Sequence, residues 1–94
     1  MKWIEIIELR SAGNTRKQLE THLQELIKQV EKKTDQQTVK LYTRMMIDTD
    51  VSIHLLHDSS PVNNRGSSLG ITLVSALKSY GLLNHTIWIE KKKD

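Results

Sequence analysis

The sequence predicts an α+β domain of βαββαβ order, and three observations carry that reading. Two segments repeat apolar residues at helical spacing, at 19–30 and at 69–80. Four segments are rich in β-branched and aromatic residues or alternate apolar with polar. A length of 94 residues fits one core and no linker, so a single domain over 1–94 is expected.

Residues 2–10 (KWIEIIELR) are dense in strand-forming types, and Ser11-Ala12-Gly13-Asn14 supplies a turn after them. Trp3, Ile7 and Leu9 fall on one side of this first strand and Ile4 and Ile6 on the other, which suits a central strand covered on both faces. The pattern does not say which side meets the helices.

Asn14 or Thr15 caps a first helix over about 15–33. Leu19, Leu23, Leu26, Ile27 and Val30 form its apolar stripe, and charged residues, including an Arg16/Glu20 pair one turn apart, lie opposite. From Thr38 to Ile47 the period changes to two: Val39, Leu41, Thr43, Met45 and Ile47 alternate with Lys40, Tyr42, Arg44 and Met46. Asp48-Thr49-Asp50 reads as a tight reversal into a third strand over Val51–Leu56.

The segment His57–Gly66 holds the sole proline and reads as the longest loop. A second helix starts at Ser67 or Ser68, with the stripe Leu69, Leu73, Ala76, Leu77 and Tyr80. Gly81 suits a left-handed position just past its end, with Leu82 or Leu83 folding back on the last turn. Thr86–Glu90 reads as the fourth strand. Two right-handed crossovers then place both helices on one face of a four-stranded antiparallel sheet of order 4-1-3-2, the ferredoxin-like arrangement.

Composition narrows the chemistry. The chain has no cysteine, so disulfides, thiol nucleophiles and thiolate metal sites are excluded. His54 and His57 are three apart, face opposite sides and have no carboxylate or histidine at ligand spacing beside them; His22 sits on the edge of the first helix's stripe and His85 in a turn before the fourth strand, so no metal and no cofactor are expected. No run approaches the ~18 apolar residues that span a bilayer, and the N-terminus lacks a signal-like segment, so a cytoplasmic protein without membrane contact is expected. The formal charge of +3 is concentrated in Lys91-Lys92-Lys93, and the sheet offers few aromatics for base stacking, so nucleic acid is not an expected partner.

The sheet face away from the helices is half apolar. Alternation puts Tyr42, Arg44, Met46, His54, Leu56, Trp88 and Glu90 there, and exposed apolar patches mark contact surfaces. A homodimer through this face is the expectation. Tyr42, Arg44, His54 and Trp88, with Glu90, also read as a pocket with a cation, aromatic walls and an imidazole. A second candidate is Arg65-Gly66-Ser67-Ser68, where Arg65 and the free N–H groups at a helix start would hold a phosphate or carboxylate.

The topology and the half-apolar second face together resemble the dimeric α+β barrel group of ferredoxin-like proteins, which includes the antibiotic-biosynthesis monooxygenase-like proteins. That resemblance, over residues 2–91, implies two sheets packed face to face and space for a small molecule; it transfers no catalytic residue. The sequence therefore reads as a homodimeric small-molecule binder. The alternative is a regulatory or structural module acting through protein contacts, similar in fold to ligand-binding domains of the ACT type.

Overall fold

A computed structural model describes residues 2–14, 16–33, 37–58 and 61–91. Its elements follow in the order β1 (Trp3–Ser11), α1 (Arg16–Lys33), β2 (Gln37–Arg44), β3 (Ile47–His57), α2 (Ser68–Leu77), a short 3₁₀ turn (Lys78–Tyr80) and β4 (Gly81–Ile89). The strands pair antiparallel in the order β2-β3-β1-β4, which makes β1 and β3 central and β2 and β4 the edges. The βαββαβ ferredoxin-like order and the expected strand order both hold. Thr15, one of the two residues expected to cap α1, lies outside the described residues.

The side of β1 that meets the helices is now fixed. Trp3, Glu5, Ile7 and Leu9 are buried, and they alternate with half-buried Ile4 and Ile6 and exposed Glu8 and Arg10. Opposite them on β3, Val51, Ile53, Leu55 and His57 are buried on the same face. Leu19 and Leu23 of α1 and Leu73 and Leu77 of α2 close the core over Ile7, Leu9, Val51, Ile53 and Leu55. Each such side chain contributes roughly 1.5–3 kcal/mol when taken fully out of water. No helix among the described residues is long and apolar enough to cross a membrane.

Three boundaries differ from the sequence expectation. The β2–β3 reversal falls at Met45-Met46 and not at Asp48-Thr49-Asp50. Met46 takes the left-handed conformation with φ 65° that the turn requires. Pairing passes from Thr43 opposite Val51 to Arg44 opposite Ile47, so Asp48, Thr49 and Asp50 are surplus residues bulged within β3. Tertiary pairing thus overrides their turn preference, and Met46 leaves the sheet face for a hairpin tip where it is 95% exposed.

Strand β4 starts at Gly81, five residues before the expected Thr86. Gly81 is extended (φ 162°) and not left-handed. A glycine is needed there because a Cβ would overlap the Arg10 carbonyl of the paired strand. Leu82 and Leu83 are consequently strand residues, Leu83 packed against the core and Leu82 turned outward. At the other end, His57 is the last residue of β3 and buried, and His85 lies within β4, so neither histidine belongs to a loop or turn.

Candidate functional site

Among the described residues, two places bring functional side chains together, one on each face of the sheet. On the open face, the rows Tyr42–Ser52–Glu8–Asn84 and Arg10–Asp50 sit across the four strands at the end near the β2–β3 hairpin. With Arg44 and Leu82 they line a groove of about 580 Å³. Asp50 is the hub of its charges: Arg44 Nη1 donates to Asp50 Oδ2 at 3.2 Å, and Arg10 Nε lies 3.9 Å from the same oxygen. The Asp50 side chain is largely shielded while both guanidiniums reach solvent. The Tyr42 ring stands 4.6 Å from that of His54, tilted by 50°, and His54 Nε2 shares a 3.0 Å hydrogen bond with Ser52 Oγ.

The other sequence-predicted members of this pocket lie elsewhere. Trp88 pairs with Ile4 and Leu56 in a row at the opposite end of the sheet, on the far edge strand from Tyr42. Glu90 follows it, with its N–H donating to the Lys2 carbonyl. Trp88 is 57% exposed, its Nε1 donates to Thr86 Oγ1 at 2.9 Å, and a shallow hollow of about 350 Å³ lies between it, Ile4 and Lys2. The open face is therefore divided, apolar around Trp88, Ile4, Ile6 and Leu56 and polar around Tyr42 and Arg44.

On the helix face, the start of α2 is organised by a residue the sequence reading passed over. Ser67 is the N-cap, and its Oγ accepts from Gly70 N–H at 3.0 Å. Its own N–H and hydroxyl both donate to the buried carboxylate of Glu5, at 2.8 and 2.5 Å. His57 Nε2 lies 2.6 Å from Glu5 Oε2 and His85 Nε2 lies 3.0 Å from Oε1. The indole of Trp3 stacks on the His57 ring at 4.0 Å. Burial pushes the Glu5 carboxyl up. Hydrogen bonds from the Ser67 hydroxyl, His57, the Ser67 N–H and His85 outweigh that and hold it below its ordinary value.

Ser67, offered by the sequence to an external anion, thus spends both donors on an internal one. The donors at this helix start hold a carboxylate of the chain itself, that of Glu5. Arg65 takes no part: it is exposed, and its backbone N–H donates to Asn63 Oδ1 in a local turn. Ser68 is exposed in the first turn, where its carbonyl accepts from the Thr72 hydroxyl. Gly66 and Gly70 make room for the cluster, since a Cβ on either would overlap Glu5. The signal that finds Glu5 is its register: it shares the two-residue period of Trp3, Ile7 and Leu9 and so must be buried with them. Among the described residues no group of three or more acidic or imidazole side chains is arranged to hold a metal ion.

No family model matches the chain, and no curated protein matches it. Among solved structures, that of Rv0793 from Mycobacterium tuberculosis superposes with a TM-score of 0.73 at 13% sequence identity, over 99% of this chain and 98% of that one. A likeness over nearly the full length of both chains at so low an identity is a likeness of fold.

Proposed function

We propose that this protein works as a homodimer closed over the open sheet face, and that the groove at the polar end of that face binds a small molecule carrying an anionic group. One observation supports this reading above the others: the same exposed face is apolar at one end, around Trp88, and grooved and arginine-lined at the other. The apolar end is what a second copy would cover, in the manner of the dimeric α+β barrels that the topology resembles. The grooved end would then be roofed by the partner and shielded from water, which strengthens any charge interaction inside it.

Arg10 and Arg44 present planar donor forks suited to a carboxylate, and Asp50 holds both from below without consuming all their donors. Tyr42 supplies a flat wall, and Glu8, Ser52 and Asn84 meet the remaining polar groups of the ligand. The experiment is a thermal-shift screen of small carboxylates on the whole chain. A ligand that binds the native state raises the melting temperature by mass action. The rise should vanish in Arg44→Ala and persist in Arg65→Ala, whose side chain lies by the α2 start. An absence of any shift, or a shift unchanged in Arg44→Ala, would overturn the groove as the binding site.

A further inference from the structure

The two edges of the sheet are not alike. Edge strand β2 carries Lys40 and Arg44 and ends in an irregular step between Thr43 and Arg44, devices that discourage a further strand. Edge strand β4 has none of these. Its nine residues, Gly81-Leu-Leu-Asn-His-Thr-Ile-Trp-Ile89, contain no charge and no proline, and all nine pair with β1 in unbroken register. Among the described residues no other strand pairs with it. Leu82, Trp88 and Ile89 along it are more than half exposed.

We infer that β4 pairs antiparallel with β4 of a second copy about a twofold axis at His85, so that the two sheets become one. The inference rests on the homodimer reading and adds the seam at which the copies join. Side-chain pairing fixes the register. Residues directly opposite each other in an antiparallel pair lie on the same face, so keeping the helices of both copies on one side restricts the centre to a residue and not a gap. Centred on His85, exposed Leu82 faces Trp88 of the partner subunit on the open side, and exposed Ile89 lies across from the partner subunit's Gly81, where there is no side chain to obstruct it. Asn84 meets Thr86 of the partner subunit, and every residue of β4 is paired without a charge.

The neighbouring centres do worse. Centring on Asn84 carries Trp88 past the strand end to Tyr80 of the partner subunit, in the 3₁₀ turn. Centring on Thr86 sets Leu82 against the charged Glu90 of the partner subunit. A seam at β4 is also compatible with the open faces closing on each other, because twisted sheets joined at one edge can fold together as in a barrel.

The chain has no cysteine, so single-cysteine variants report the register cleanly. Leu82→Cys and Trp88→Cys alter exposed side chains and leave the core intact. Opposed antiparallel residues have Cα atoms roughly 4.5–5.5 Å apart, within disulfide reach, whereas two Leu82 residues would be roughly 20 Å apart along the seam. Oxidation of the two variants mixed should give a cross-linked dimer, and of either alone little. Asn84→Cys mixed with Thr86→Cys should behave likewise while keeping Leu82 and Trp88 in place. If the unmodified chain is dimeric by light scattering and neither mixture cross-links, the β4 seam is wrong and the sheet-face dimer stands. If the unmodified chain is monomeric, both fall.

Discussion

Glu5 Oε2 lies 2.6 Å from His57 Nε2, with both side chains fully buried, and this contact ties the central strand β1 to the end of β3 directly beneath the first turn of α2. Among the described residues the carboxylate accepts four hydrogen bonds from three residues, so its loss strands a buried donor on His57 and part-buried donors on Ser67 and His85. Glu5→Gln keeps the shape, removes the charge and turns a donor towards groups that are themselves donors. It should cost about 3 kcal/mol in urea unfolding, the range for breaking a buried, charge-assisted network. A loss below about 1 kcal/mol would mean the network contributes little.

The same carboxylate makes stability depend on acid. Glu5 titrates below its ordinary 4.5 in the folded chain, so near and below that pH the unfolded state binds more protons than the native one. Its contribution is fully present above the unfolded value and is lost as pH falls through the folded one. The urea midpoint of the native chain should therefore drop on acidification below about 4.5, and Glu5→Gln should flatten that drop. Parallel curves for the two proteins would contradict the assignment.

Gly70→Ala offers a test with the opposite sign from helix propensity. In an exposed helix the change stabilises by about 1 kcal/mol. Here the added methyl would overlap Glu5 Oε1, and overpacking costs about 1–3 kcal/mol. Chemical denaturation should show a net loss of stability, together with disturbed NMR signals from His57 and His85.

Met46 gives the reverse case. It holds φ 65° at the hairpin tip with its side chain almost wholly in water, so the native contacts it loses on substitution are few. Met46→Gly removes the left-handed penalty of about 1 kcal/mol, partly offset by the greater freedom of glycine in the unfolded chain. A small gain of about 0.5 kcal/mol is expected in the same denaturation assay, where a loss would show that the turn is not strained.

Periodicity was enough for the fold because it reports burial directly. The stripe of Leu19 and Leu23, that of Leu73 and Leu77, and the alternation of β3 each land in the core. The turn at Met45-Met46 was not legible, because neither residue is a turn former and Asp48-Thr49-Asp50 nearby looked like one; only pairing across the sheet decides between them. The site was legible in part. Tyr42 and Arg44 lie at one end of one face as alternation requires, with His54 in the next row against the Tyr42 ring, but Trp88 shares their face and not their end, a distinction set by strand register. The Glu5 cluster draws on four segments far apart in sequence, and no local spacing announces it.

Closure of the open sheet face by a second copy is tested most directly by sedimentation equilibrium of the whole chain at micromolar concentration, alongside Trp88→Glu. The native chain should have twice its 10.9 kDa mass, and the variant, which sets a charge in the apolar end of the face while leaving the core untouched, should fall to a folded monomer. A native chain that remains monomeric, or a variant as dimeric as the parent, would contradict the account.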